Sequence, residues 1–263
     1  MKLGITSIQR NRAPWLVEWV AFHALVGFNK FYIYLHKCSD ESEKVLKELQ
    51  VQFDIEITIV SDTWENPQLT CYKDSYDRHG NDVDWMAFID GDEFLFPTSA
   101  QTMDSALSTF TNKHISVLGV YWACFGSNGH IIEPNGLIIE NYSRRAPDDY
   151  ENNRHIKSIV KGGQGDVIVP IDPHLFATTL GTYDENMRRI EKGWTDYAPT
   201  YSHFRINHYV TQSREYFDTF KRTFQTPDGS AKRNESYWEE HNRNEELDTS
   251  MQRFIGPLRE LLK

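Results

Sequence analysis

Trp85-Met86-Ala87-Phe88-Ile89-Asp90-Gly91-Asp92-Glu93-Phe94-Leu95 is an apolar run that stops abruptly in carboxylates. A short apolar segment bounded this way reads as a strand buried on both faces, with its acids at the carboxyl end. Upstream, residues 3–8 read as a first strand. Pro14 then opens a helix in which Trp15, Leu16, Trp19, Val20, His23 and Ala24 recur at helical spacing, and Gly27 ends it. Lys30–Leu35 and residues 55–60 read as the next strands. Between them lies a helix capped by Ser39 or Asp40, and a further helix over 69–79 precedes Trp85. Repeated strand–helix alternation predicts an α/β fold, with a mostly parallel central sheet and helices on both faces. Ligands of such sheets bind beyond the carboxyl ends of the strands. Those ends carry Gln9-Arg10-Asn11, Lys37-Cys38-Ser39-Asp40, Ser61-Asp62 and Asp90-Gly91-Asp92.

The pattern changes after Pro97. Residues 115–124 form a long run of strand formers, and Gly126, Gly129 and Gly136 punctuate the loops that follow. Residues 137–140, 156–160 and 167–169 read as further short strands. From Gln212 the chain is helical and charged over 213–224, 237–246 and 249–262, with a polar loop at 226–230. The expected organisation is one large α/β domain over 1–211 and a helical C-terminal annex over 212–263 packed on it.

Among 263 residues, 28 Lys and Arg stand against 38 Asp and Glu, a net charge of −10. That balance argues against a general nucleic-acid binder, which needs a basic face, and against a polybasic lipid-docking segment. No apolar run approaches the ~20 residues of a transmembrane segment. The first residues read as a strand rather than a signal peptide. Cys38, Cys71 and Cys124 are too few and too scattered for a disulfide framework or a zinc motif, so a cytoplasmic setting is expected.

Carboxylates beside a buried strand need a cation or hydrogen-bond donors to compensate them. Asp90 and Asp92 can present hard oxygen ligands to one Mn²⁺ or Mg²⁺, which keeps positions for phosphate oxygens. Gly91 between them permits close backbone approach to a ligand. The plain alternative is an acidic surface turn.

Asp90-Gly91-Asp92 after an apolar strand resembles the Asp-X-Asp motif of glycosyltransferases with the GT-A fold. The likeness extends to the glycosyltransferase 92-like group and the related family-2-like enzymes. It is carried by Arg10-Asn11, Glu18-Trp19, His23, Gly27-Phe28, Phe31-Tyr32-Ile33-Tyr34 and Ser39-Asp40, then by Asp84-Trp85 and Phe88 to Phe94. Trp122, Phe125-Gly126-Ser127, Gly129-His130, Lys157-Ser158-Ile159-Val160, His174 and Asn207-His208-Tyr209 continue it, over roughly residues 3–220. Arg12 departs from the group, which usually carries Glu there. The resemblance implies a GT-A fold and metal-dependent transfer of a sugar from a nucleotide-diphosphate sugar, a UDP-sugar being favoured. The receiver is a hydroxyl of a glycan or other acceptor, with inversion. By position, Asp90 and Asp92 would contact the metal and donor ribose, and His208 would complete the metal shell. A core histidine between Asn207 and Tyr209 is the other reading of His208.

On this pattern the nucleotide lies over the first strand ends. Arg10 and Asn11 would meet uracil or phosphate, and Asp40 or Asp62 the ribose or base edge, although Asp40 also suits a helix cap. An inverting transfer needs a general base. Glu133, Glu140, Asp166, Asp172 and Asp196 are candidates. Asp172 stands out because Pro170 and Pro173 stiffen its loop, and His130 is an alternative base or acceptor ligand. Trp122, Phe125 and Trp194 are possible platforms for a sugar, with His174 beside them on the acceptor side. Arg144, Arg145, Arg154 and Lys157 form the densest basic region, which suits a diphosphate, an anionic acceptor or a solvated face. A nucleotidyltransferase or other phosphoryl-transfer enzyme would use similar acids but needs a glycine-rich phosphate loop, which Ser7 to Arg12 lacks. A non-catalytic carbohydrate-binding protein is the third reading, opposed by the intact acidic motif.

Overall fold

The computed structural model describes residues 1–163, 168–223 and 233–263. The first half alternates as expected: β1 (Leu3–Gln9), α1 (Ala13–Leu25), β2 (Lys30–Leu35), α2 (Ser42–Leu49), β3 (Ile55–Ile59), α3 (Pro67–His79) and β4 (Trp85–Phe88). β3, β2, β1 and β4 pair side by side and parallel. Strand periodicity then divides the core between the two faces of the sheet. Phe31, Ile33, Trp85 and Ala87 pack with Leu16, Trp19 and Phe22 of α1. Tyr32, Tyr34, Met86 and Phe88 pack with Cys71 and Tyr72 of α3. Helices therefore cover both faces, and the inner strands are buried while the edge strand β3 is half-exposed, Ile59 most of all.

The second half adds β5 (Glu93–Pro97), α4 (Met103–Leu107), β6 (Val117–Cys124), α5 (Ile138–Asn141), β7 (Arg144–Arg145) and β8 (Ile156–Lys161). Short strands β9 (Val169–Pro170), β10 (Phe176–Ala177), β11 (Thr182–Tyr183) and β12 (Arg189–Ile190) lead to β13 (Phe204–His208). α6 (Arg214–Thr219), α7 (Glu235–His241), β14 (Glu246–Leu247) and α8 (Gln252–Leu261) complete the order. β8 runs antiparallel between β4 and β6, joining both halves into a ten-stranded sheet of order β12-β11-β6-β8-β4-β1-β2-β3, with β13 and β5 branching from β6. This is the GT-A layout implied by the motif: a parallel α/β half ending in the acidic turn, continued by a mixed half. Its register sets His208 opposite both Glu93 and Cys124, and so beside the acidic turn.

Some expectations are corrected. The expected strand over 137–140 is instead the helical turn α5 from Ile138, because the Glu18 carboxylate accepts the Ile138 and Ile139 amides at 2.7 and 3.1 Å and caps it. The helix expected over 237–246 ends at His241. Asn242 and Asn244 instead accept the amides of Ser127 and Asn128, both at 2.7 Å, and β14 pairs with β7. The helix expected over 213–224 stops at Thr219 and is followed by a 3-10 turn over Lys221–Thr223. Asp166, Val167, Phe224 and the 226–230 loop lie outside the described residues. α8 sets Phe254 against Phe22 and Phe96, with ring centroids 5.3 and 5.8 Å apart, so the C-terminal helix shares the α1-side core.

Candidate active site

β4 ends at Phe88 and β5 begins at Glu93, so Asp90-Gly91-Asp92 is the turn between them. Asp90 accepts from Gln68 Nε2 through Oδ1 and from Lys157 Nζ through Oδ2, each at 2.8 Å. Its own amide donates to Glu93 Oε2 at 2.8 Å, and Lys157 lies 3.7 Å from that oxygen. Burial, with Asp90 beside it, pushes the Glu93 carboxyl up to about 8. Burial acts against the Lys157 ammonium, but Asp90 and Glu93 outweigh it and hold Lys157 above the usual lysine range.

Asp92 has a separate set of partners. Oδ2 takes the ammonium of Lys221, and Oδ1 faces His208 Nε2 at 3.7 Å. Burial would raise the Asp92 carboxyl, yet Lys221 and His208 overrule it and hold it well below the usual range. Burial also lowers the pKa of His208, which favours the neutral imidazole. Arg12 donates to Gly91 O at 2.8 Å and to Tyr216 Oη at 2.6 Å, and its guanidinium lies 4.4 Å from the Trp15 ring. A Cβ on Gly91 would sit 2.1 Å from Gln9 Oε1, so the Gln9 amide would have to swing aside for any larger residue here. A cavity of about 120 Å³ opens here, lined by Gln9, Arg10, Arg12, Gly91, Asp92 and Lys221.

Against His208, the Trp122 ring lies 4.2 Å away, and it stands 4.9 Å from His155 and 5.2 Å from His174, centroid to centroid. His174 donates from Nδ1 to Ile156 O at 2.8 Å. Burial, with Lys157 nearby, holds its pKa well below the ordinary histidine value. Asp172 Oδ1 accepts the amides of His174 and Leu175 at 2.7 and 2.9 Å, which fixes both residues in one turn.

The sequence profile of glycosyltransferase family 92 matches residues 4–244. The chain belongs to glycosyltransferase family 92. A family 92 protein of Oryza sativa subsp. japonica is 29% identical over 160 residues, covering 60% of this chain and 26% of its own length. One of Ricinus communis is 26% identical over 225 residues, covering 81% of this chain and 35% of its own. The chain therefore spans about a third or less of these relatives, 26% and 35% of their length. Similarity to S. aureus TarS is remote: TM-score 0.39 at 14% identity, over 61% of this chain and 47% of that one.

In this family 92 chain the fold brings Asp90, Gly91, Asp92 and His208 together, with Arg10 on the same cavity and Trp122 touching His208. Asp172 and His174 join through Trp122, and Trp194 bridges to His155 while its indole donates to Glu151 O at 3.2 Å. Other expected site residues stand apart. Asn11 bonds Ser39, and Asp40 accepts the amides of Ala13 and Ser42 at 2.9 and 3.1 Å, so both tie the β1 and β2 loops together. Asp62 is exposed, 3.9 Å from Lys37. His130 bonds Asn141 O at 3.0 Å. Phe125, expected as a sugar platform, is instead buried against Tyr209 in the core and offers no face to a ligand. The basic region divides: Lys157 turns to Asp90, Arg145 to Asp148 and Asp248, and Arg154 to Trp194. Gln68, Glu93 and Lys221 were not anticipated as partners of the motif. Glu93 was visible as the next acid of the run, whereas nothing local marks Gln68 or Lys221.

Proposed function

We propose that this chain transfers a sugar from a nucleotide-diphosphate sugar, a UDP-sugar being favoured, to a hydroxyl of a glycan or other acceptor, with inversion. The observation that carries this reading is the cavity at the ends of β1 and β4, where Arg10 and Arg12 meet Asp92, with His208 3.7 Å behind that carboxylate. Arginines suit diphosphate oxygens, and the acids give the site the opposite charge a few ångströms away. Among the described residues no three His, Cys, Asp or Glu side chains converge on one metal position. The Asp92 and His208 donors, a carboxylate oxygen and a neutral imidazole nitrogen 3.7 Å apart, nevertheless fit Mn²⁺ or Mg²⁺ shared with the donor's phosphates. When bound, the ion would neutralise charge developing on the leaving diphosphate.

The remaining roles are carried over from the family resemblance. Arg10 and Arg12 bind the diphosphate; Asn11, Asp40 and Asp62, which stand apart from the cavity, are given the ribose and base by the resemblance alone. Asp90, fixed by Lys157 and Gln68, faces the ribose side. Trp122 and Trp194 pack against the C–H face of a sugar, and His174 orients the acceptor. Asp172 takes the acceptor proton: the two amides on Oδ1 fix its plane, leaving Oδ2 as the base. Residues 1–211 form the transferase domain, and the 212–263 annex borders the donor cavity through Tyr216 and Lys221. No helix among the described residues is long and apolar enough to cross a membrane.

The test is thermal stability with UDP, GDP and CMP, each with and without Mn²⁺, followed by product analysis with UDP- and GDP-sugars. Metal-dependent stabilisation by one nucleoside diphosphate, and a glycoside product from its sugar, is expected. Stabilisation by free glycans but by no nucleotide would favour a non-catalytic binding protein instead.

A further inference from the structure

Lys221 lies in the short turn after α6, 129 positions from the acid it neutralises. Its ammonium donates to Asp92 Oδ2, and the two side chains are only 9% and 12% exposed. On the other oxygen, Oδ1, His208 Nε2 stands at 3.7 Å, beyond hydrogen-bond reach. The same carboxylate therefore carries a cation on one side and faces a metal-type donor on the other.

Both partners depend on the pair. A buried ammonium stripped of its carboxylate is costly, so Lys221 needs Asp92 as much as Asp92 needs a cation. Arg10 and Arg12 line the same cavity. A dication approaching Asp92 meets this like charge, and it must share the carboxylate that compensates Lys221. A nucleoside diphosphate changes both conditions. It adds negative charge to the cavity and offers the ammonium new acceptor oxygens.

We infer that Lys221 is a resident counter-cation of Asp92 that opposes the divalent metal until the donor diphosphate is present, so that metal loads with or after the nucleotide. This rests on the reading above in which Asp92 and His208 hold the ion, and it adds a positioning residue and an order of loading. Lys221 acts through Asp92, holding the carboxylate charged and in place before the donor arrives and releasing it afterwards.

The experiment measures Mn²⁺ affinity, from the electron paramagnetic resonance signal of the free ion, with and without UDP. The proteins are wild type, Lys221→Met, Lys221→Gln and Lys221→Arg. Lys221→Gln keeps a hydrogen-bond donor for Asp92 without charge, and serves if Lys221→Met folds poorly. Wild type should bind Mn²⁺ weakly alone and much more tightly with UDP. The neutral variants should bind Mn²⁺ alone about tenfold or more tightly than wild type, while Lys221→Arg restores the wild-type weakness. Unchanged or weaker Mn²⁺ affinity in both neutral variants, with UDP-dependent Mn²⁺ binding intact in wild type, would overturn the role of Lys221 alone. No Mn²⁺ binding by wild type even with UDP would instead overturn the metal reading on which it rests.

Discussion

The contact of α1 with β5 and the cleft beyond the sheet both bury polar groups, and they treat them in opposite ways. In the first, Trp19 donates its indole N–H to Glu93 O at 2.9 Å. His23 accepts the Leu95 amide at 3.1 Å and donates to Trp19 O at 2.7 Å. Burial pushes His23 down to about 3, so it stays neutral with both ring nitrogens paired. In the cleft, by contrast, Gln9 Oε1, Arg12 Nε, Glu93 Oε1, Trp122 Nε1 and His208 Nδ1 are buried without a hydrogen-bond partner. Its charges are held by lysines from distant segments. Unsatisfied buried polar atoms are rare in a native interior and call for an explanation, a ligand being one. The α1 contact is finished architecture that fixes β5. The cleft, drawn from β1, β5, β6, β13 and the loop at Arg12, is the part whose polar groups await something else.

Removing a charge from the cleft should separate chemistry from stability. Asp92→Asn is expected to lower kcat by about 10²–10³-fold, as loss of a preorganised electrostatic group does. It also leaves Lys221 buried without its carboxylate, at about 3–5 kcal/mol of stability. Denaturant unfolding of Asp92→Asn/Lys221→Met should recover most of that stability with no return of turnover. Full activity in Asp92→Asn would remove this motif from the reaction. Next, Asp172→Asn should lower kcat by about 10²–10⁴-fold with donor affinity little changed, because a general base touches the acceptor. Collapse of donor binding in that variant would make Asp172 a purely structural part of the His174 turn.

The reverse experiment belongs to the α1 contact. His23→Ala deletes a packed ring and orphans the Leu95 amide, so denaturant unfolding should read a loss of about 3–5 kcal/mol. UDP binding by the folded fraction should persist. Equal loss of binding and stability would mean that the clamp also shapes the donor site.

These two regions were unequally legible in the sequence. The parallel half follows from period and punctuation, because Trp85 to Ile89 is too short and too apolar for an exposed strand and ends at once in acids. Trp19 and His23 were visible at helical spacing and Glu18 through the family resemblance, but the carbonyl and amides they serve belong to β5 and α5, which local pattern cannot pair with them. Ile138-Ile139 looked like strand until Glu18 capped it, a tertiary contact overriding propensity. The cleft was legible in its acids and in His208, whereas Lys221 is one lysine in a charged helical stretch, with no local mark of its partner. Phe125 shows the opposite failure: an aromatic next to glycines suggested a platform, and the fold spends it on the core.

The smallest effect expected is a pH dependence that sets α1 apart from the cleft. Burial pushes the Glu18 carboxyl from the ordinary range up to about 7, although the Ile138 and Ile139 amides pull the other way. In the unfolded chain this group loses its proton near the usual glutamate value, ~4.3. Between these values the native state binds more protons than the unfolded state, so stability falls as pH rises. The contribution is greatest in favour of folding below the unfolded pKa and is lost as pH rises through about 7. Over about pH 5 to 8 the change attributable to Glu18 is about 2–3 kcal/mol. Glu18→Gln cannot titrate, so its unfolding free energy should fall less steeply with pH than that of wild type, by that amount. Glu93, raised by the same cause, titrates in both proteins and cancels in the difference. Parallel stability curves would mean that the two amides keep Glu18 ionised throughout, and that α1, like the cleft, holds a buried charge.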